Sequence, residues 1–171
     1  MFNFQDFLLY TGAEASQEMK YATIASGVIK YVEETYGIYL SKSSRVFNRF
    51  SENGTSIMLG VTPVNSITSI TQDSVAVTYT YYGRDIAASV TDTTIPLVIT
   101  ADVGYEEVPT DLKLAVYTHI QSMFFAIENH TTNVSKVVNT TGNTTFFRDL
   151  AVPMESSMVY DMYSKRQIAL I

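Results

Sequence analysis

Residues 95–127 read IPLVITADVGYEEVPTDLKLAVYTHIQSMFFAI, and they contain the change of secondary structure that decides the fold. The apolar run at the start favours a β-strand, and it ends at Gly104, where the lack of a side chain permits a sharp turn. Pro109 follows, and proline suits a first helical turn because its φ angle is fixed and no helical partner needs its missing N–H. The stretch therefore predicts a strand, a turn and then a helix.

The predicted helix after Pro109 is amphipathic, with Asp111 placing a carboxylate near the positive end of the helix dipole. Apolar residues recur at intervals of three and four positions and share one face: Leu112, Ala115, Val116, Ile120, Met123, Phe124 and Ile127. We expect this face to pack against another element.

A second long helix is predicted over residues 14–36, ending before Gly37, a residue typical of helix ends. Its apolar stripe contains Met19, Ala22, Ala25, Val28 or Ile29, Val32 and Tyr36. Shorter helices are expected over residues 3–10 and 154–164, the latter opened by Pro153.

The middle of the chain has the composition of β-strands. Residues 64–70, 75–81, 86–90 and 96–103 are rich in Val, Ile, Thr and Tyr, and turn signals separate them. The fold expected is therefore α+β: a helical bundle with a small antiparallel sheet or hairpin inserted at about residues 56–104. A polar arm, residues 129–148, and an extended C-terminal tail, residues 165–171, complete a single domain of residues 1–171.

Composition excludes several classes of function. The chain has 171 residues, which suffices for one hydrophobic core, and its lack of cysteine excludes disulfides and thiol catalysis. No apolar run reaches the roughly 18 residues of a membrane span, and the N-terminus lacks the basic start of a signal peptide, so we expect no membrane partner. The formal net charge of −6 argues against affinity for DNA phosphates.

The residue patterns that support catalysis are missing from the sequence. Its two histidines are His119, beside the apolar stripe of a helix, and His130, in the polar arm. Acidic neighbours such as Glu106 and Glu107 diverge in direction and make a poor metal site or catalytic pair. We therefore expect no enzymatic activity, no cofactor and no metal, with His119 a satisfied semi-buried group.

Three segments occur in an order that resembles the bacteriophage head-tail connector family, also called adaptor or head-completion proteins. These are the end of the early helix, residues 29–37, the element LGVTPVNSITSI at residues 59–70, and residues 95–127. The resemblance implies a structural virion protein that forms a ring under the portal, a dodecamer, and joins the capsid to the tail or the next neck ring. Its partners would be the portal, copies of itself and the next neck or tail protein, in a virion neck assembled in the host cytoplasm. Genomic DNA would pass through the channel without specific binding.

The resemblance also implies roles for particular residues. Similar connectors hold the portal through their C-terminal segment, which here contains Tyr160, Tyr163, Lys165, Arg166, Ile168, Leu170 and Ile171. The alternative is that this segment folds back on its own helical core. Gly104, Tyr105 and Pro109 would form a structural joint between the inserted sheet and the helices.

Contacts between subunits are expected from two further groups. Tyr79, Tyr81 and Tyr82 suit an interface because tyrosine combines a large contact area with a polar group, although cross-strand packing within one subunit explains them equally. The polar arm supplies Val134, Val137 and Val138. In the free monomer we expect either a mobile arm or an extended hairpin, and the arm either orders on assembly or is a plain surface loop.

Two alternative functions remain at this point. A tail-completion or stopper protein of the same neck is the nearer one, and it should bind the tail end first. A small-ligand-binding module, with the tyrosine-rich sheet as its pocket, is the more distant one.

Overall fold

The computed structural model describes residues 2–51, 55–83, 85–90, 92–128, 137–138, 144–145 and 152–166. The helices in these ranges are α1 (Phe4–Thr11), α2 (Glu18–Tyr36), α3 (Thr110–Glu128) and α4 (Met154–Arg166), and a short 3₁₀ helix, Ala15–Gln17, precedes α2. The strands are β1 (Ser43–Arg49), β2 (Ser56–Met58), β3 (Val64–Gln72), β4 (Val75–Ala76), β5 (Tyr79–Tyr81), β6 (Asp85–Ala88), β7 (Leu97–Val103), β8 (Val137–Val138) and β9 (Thr144–Thr145). The α+β class expected from the sequence is confirmed.

The chain divides into two compact units. The helical unit contains Met1–Tyr31 and Pro109–Tyr160, and the sheet unit contains Val32–Val108 and Asp161–Ile171. The expectation of a single domain over residues 1–171 stays a prediction.

In the helical unit, α1 and α4 contact opposite faces of α3. The Phe7 ring on α1 lies 6.1 Å from the Tyr117 ring and 6.0 Å from the Phe124 ring of α3. On α4, the Ser156 hydroxyl donates a 2.8 Å hydrogen bond to the Ala115 carbonyl oxygen. Positions 115 and 117 are about 200° apart around a helix of 3.6 residues per turn, so α3 lies between the two other helices.

The buried face of α2 differs from the stripe expected at its start. Met19 is 85 % exposed and Ala22 is exposed, whereas Tyr21 is buried. The Tyr21 ring lies 4.7 Å from the Phe7 ring and 5.3 Å from the Phe4 ring of α1, and this aromatic packing decides which side of the helix turns inward. The later stripe positions Ala25, Val28 and Val32 are buried as expected.

The sheet unit contains two antiparallel sheets where the sequence predicted one. The first has the strand order β1-β7-β3-β4, and the second has the order β2-β6-β5. The reason is that the single strand expected over residues 75–81 is split: Val75–Ala76 pairs with β3, and Tyr79–Tyr81 pairs with β6. The chain crosses from one sheet to the other at residues 77–78.

Strand β1 begins earlier than the expected insertion at about residue 56. Phe47 is its one buried side chain, and its other residues include two serines, two arginines and an asparagine. Because β1 is an edge strand with mostly exposed residues, its sequence lacks the alternation of apolar and polar residues that reveals a strand.

One hydrophobic core joins the buried faces of the two sheets. Its members are Phe47, Ile57, Leu59, Val61, Ile70, Ile86, Ala88, Leu97, Ile99, Ala101 and Val103. Tyr79 and Tyr81 pack against the edge of this core. Across the part of the chain that the structure describes, no helix is both long enough and apolar enough to cross a bilayer.

Candidate assembly surfaces

Gly104 lies at a close crossing of three backbone segments. Its φ angle is +97°, and a Cβ atom placed there would overlap the carbonyl oxygen of Ser41. The Gly104 N–H donates to the Pro63 carbonyl oxygen at 2.9 Å, and the Asn65 side chain donates to the Gly104 carbonyl oxygen at 2.8 Å. These contacts tie the end of β7 to the start of β3 and to the segment before β1, so glycine is needed here for both conformation and space.

Tyr105 and Pro109 are the other two residues of the expected joint, and both follow Gly104 in the chain. The Tyr105 N–H donates to the Tyr39 carbonyl oxygen at 3.3 Å, and the Tyr105 ring packs edge-on against the Tyr163 ring at 6.2 Å. Pro109 begins the second segment of the helical unit, and its carbonyl oxygen accepts from the Lys113 N–H at 2.8 Å in the first turn of α3. A role of these residues in setting an angle between ring-forming parts stays a prediction.

The three tyrosines expected at a subunit interface have different surroundings. The Tyr79 hydroxyl donates to the Ile67 carbonyl oxygen at 2.8 Å, and the Tyr81 hydroxyl donates to the Gly83 carbonyl oxygen at 2.7 Å. Both side chains therefore support the chain's own sheets, as the cross-strand alternative expects. Tyr82 is 71 % exposed and is the member of the group whose ring is most open to a partner.

The expected portal residues lie on α4 and beyond it. Tyr160 has no exposed surface, and Tyr163 is 5 % exposed. The Tyr160 hydroxyl donates to the Ala115 carbonyl oxygen at 3.3 Å, which fits the alternative in which this segment packs on its own core. The portal contact of the group stays a prediction.

Several of the predicted contact residues lie outside the described residues. They include Ile168, Leu170, Ile171 and Val134. His130 also lies outside the described residues. For Lys165, Arg166, Val137 and Val138 the structure describes the backbone alone. Residues 137–138 pair antiparallel with residues 144–145, which agrees with the extended hairpin considered for the polar arm.

His119 is buried on α3, where the sequence places a semi-buried polar group. Its ring lies 6.1 Å from the Tyr160 ring and 5.7 Å from the Tyr31 ring, and its Nδ1 atom lies 3.5 Å from the Tyr160 hydroxyl. Burial lowers the pKa of the imidazole from 6.5 to about 4, because the charged form loses its hydration. The neutral form is therefore the one present at pH 7.

One ion pair joins two helices of the helical unit. The Lys113 ammonium on α3 lies 2.6 Å from an Asp6 carboxylate oxygen on α1, and this hydrogen bond lowers the pKa of the Asp6 carboxyl. Within the described ranges, no group of three or more histidine, cysteine, aspartate or glutamate side chains is placed to hold a metal ion.

Two small cavities lie among the residues that the structure describes. One of about 220 Å³ lies in the helical unit and is lined by Phe7, Thr11, Gly12, Ala13, Glu14, Gln17, Gln121, Phe124 and Phe125. Another of about 270 Å³ lies on the three-stranded sheet, among Thr55, Thr78, Tyr79, Thr80, Ala87, Ala88 and Ser89. Tyr79 is the one aromatic residue in the second group, so this cavity does not bring the three tyrosines together.

Three exposed methionines on α4 are a feature that the sequence reasoning did not single out. Met154, Met158 and Met162 are 73 %, 63 % and 40 % exposed and follow one another at intervals of four residues. The spacing of four in a helix opened by Pro153 was the available signal, because residues at i and i+4 share one face of a helix.

No protein-family model matches the sequence, and the curated proteins give no significant match. Solved structures do match by fold. A chain in the neck of a native GTA particle, computed with C12 symmetry, has a TM-score of 0.53 at 14 % identity, over 64 % of this chain and 71 % of that chain. A chain in the neck of an empty GTA particle, computed with C6 symmetry, has a TM-score of 0.55 at 13 % identity, over 71 % and 75 % of the two chains.

A third match comes from the virion of a native gene transfer agent particle. Its TM-score is 0.57 at 11 % identity, and it covers 90 % of this chain and 80 % of that chain. At identities this low, the three matches show that the protein shares its fold with chains of these particles.

Proposed function

We propose that this protein is a structural component of a phage-like neck, a head-tail connector that forms a ring under the portal and joins the capsid to the tail or the next neck ring. The observation that carries the proposal is the likeness of its fold to chains from neck structures with cyclic symmetry. The sequence supports it independently, because three segments follow the connector family's order along the chain.

The chemistry of the chain is consistent with a structural role. His119 is buried and neutral, and the described residues contain no candidate metal cluster. A net charge of −6 gives DNA phosphates little to bind, which suits a ring through which a genome passes. The connector role that we propose would act in the neck of a virion, with assembly in the host cytoplasm.

Neither of the two cavities described above supports a ligand-binding module. Pockets for small molecules usually measure about 300–1,000 Å³ and converge a few polar groups on an apolar wall. The cavities of about 220 and 270 Å³ fall below that range.

Negative-stain electron microscopy tests the proposal, with the purified protein imaged alone and mixed with a portal protein. We expect closed rings in at least one sample, with cyclic symmetry such as the six- or twelve-fold symmetry of the matched necks. Monomers in both samples would contradict it. Binding to isolated tails in preference to portals would indicate a tail-completion or stopper protein.

Deleting residues 167–171 tests the proposed portal contact. If the truncated protein keeps its thermal unfolding curve and loses portal binding, the segment docks on the portal. If the truncated protein no longer folds, the segment belongs to the core of the chain.

A further inference from the structure

Two exposed methionines of α4, Met154 and Met158, lie on the side of the helix that faces away from α3. Ser156 and Tyr160, both fully buried, bond to the Ala115 carbonyl oxygen of α3. Met154 and Met158 each lie two positions earlier, about 200° around the helix from those residues. Unbranched, polarizable methionine side chains adapt well to partner surfaces, and leaving two of them in water is unfavourable.

The cavity of about 220 Å³ has walls suited to a methionine side chain. Phe7, Phe124 and Phe125 supply aromatic surface, and Glu14 and Gln121 supply polar groups. Thioether sulfur contacts aromatic rings favourably. An apolar cavity of about 150 Å³ holds a benzene molecule, so this one has room for one unbranched side chain.

The cavity and the methionines lie on opposite sides of the helical unit. Phe7 of α1 and Phe124 of α3 line the cavity, and they belong to the side of α3 that contacts α1. The methionines belong to α4, which contacts the other side of α3. Two different, complementary patches on opposite sides suit a head-to-tail contact between identical subunits. Such a contact builds a ring when its repeated rotation closes, and an open filament when it does not.

We propose that Met158 of one copy enters the aromatic cavity of the next copy, with Met154 packing beside it. The inference rests on the ring proposed above and names the contact that would build it. Leu9 and Met19 are also exposed, but they lie on α1 and next to the 3₁₀ helix, the elements that form the cavity side. Met154 and Met158 are the exposed apolar pair that α4 offers to a neighbour's cavity in a head-to-tail contact.

Cross-linking tests this contact directly, because the chain has no cysteine of its own. A double variant, Met158→Cys with Gln121→Cys, is treated with a short bismaleimide and run on a denaturing gel. We expect a ladder of covalent oligomers, and only traces from either single variant, since a head-to-tail contact keeps equivalent positions apart. The matched control pairs Gln121→Cys with Leu9→Cys, an exposed residue of α1 on the cavity side of the same unit, and should give no ladder.

Point variants give a second readout. Met158→Glu should reduce the fraction of protein in rings at least tenfold, and Met158→Leu should leave that fraction within about twofold of the original protein. Both variants should keep the thermal unfolding curve, since the side chain is mostly exposed.

The outcomes separate this inference from the proposed function. Rings by electron microscopy together with no ladder from the 158/121 pair, or with full assembly of Met158→Glu, would overturn the methionine contact and leave the connector function standing. Absence of rings from the unmodified protein, alone and with portal, together with absence of a ladder, would overturn both.

Discussion

The carbonyl oxygen of Ser41 occupies the space that a side chain at Gly104 would need. Gly104 also has a φ angle of +97°, which residues with a Cβ rarely adopt. The residue is therefore restricted twice, once by its own conformation and once by a neighbouring segment of backbone.

Gly104→Ala should lower the free energy of unfolding by about 2–4 kcal/mol, since it combines left-handed strain with overpacking against backbone. Gly60→Ala is the matched control, because Gly60 has a φ angle of +68° and a Cβ atom added there would meet no neighbouring atom within 4 Å. The control should cost about 1–2 kcal/mol. Urea unfolding measures both values. Equal losses would show that the Ser41 backbone shifts at little cost to make room for the added Cβ atom.

His119 should make the protein less stable in acid. Its pKa is about 4 in the folded protein and 6.5 when unfolded, so above pH 6.5 the ring is neutral in both states and stability is complete. As the pH falls from 6.5 to 4, the unfolded chain takes up the proton first, and about 3 kcal/mol of stability is lost.

A His119→Gln variant tests this contribution by urea unfolding at pH 7, 5.5 and 4. Its stability should fall by about 3 kcal/mol less than that of the unmodified protein over this interval. Carboxyl groups such as Asp6 titrate in both proteins, so the comparison removes their effect. Parallel curves for the two proteins would refute the assignment.

Tyr79→Phe should destabilise the sheet unit by about 1 kcal/mol, because it removes the hydroxyl that donates to the Ile67 carbonyl oxygen. Tyr82→Phe is the control and should change stability by less than about 0.5 kcal/mol, since Tyr82 is exposed. Thermal unfolding of both variants gives the comparison. A larger loss from Tyr82→Phe than from Tyr79→Phe would contradict the packing described for Tyr79.

Tyr160→Ala should lower the free energy of unfolding by about 3–5 kcal/mol, as expected for removal of a large side chain that is fully buried. Met154→Ala, on the exposed side of the same helix, should cost less than about 1 kcal/mol. Denaturant unfolding distinguishes the two. A stable Tyr160→Ala protein would contradict this burial and would support a surface role for Tyr160, such as the expected portal contact.

Sequence periodicity predicted the long helices well because their apolar residues are large and regularly spaced. The helix opened by Pro109 lies within one residue of its expected start, and Leu112, Val116, Ile120 and Phe124 are buried as predicted. Periodicity failed at Met19, because the rings of Phe4 and Phe7 from another helix select Tyr21 as the buried residue. Such a choice depends on contacts distant in sequence.

The sheet and the surfaces were harder to predict for the same reason. The alternation over residues 75–81 identifies extended backbone, but it does not show that the chain changes sheets at residues 77–78. Gly104 was identified correctly as a turn residue, whereas its contact with Ser41 depends on a segment some 60 residues earlier in the chain. The cavity of the helical unit combines α1 with α3 and has no local signature at all.

The strand order β1-β7-β3-β4 has a consequence for synthesis of the protein. β7 is the last of these strands to leave the ribosome, yet it lies between β1 and β3 and pairs with both. At about 5–20 residues per second, β1 waits some seconds for its partner while its backbone amides stay hydrated. The nascent chain therefore completes this sheet only after residue 103 emerges, which makes β7 the strand whose synthesis limits formation of the sheet.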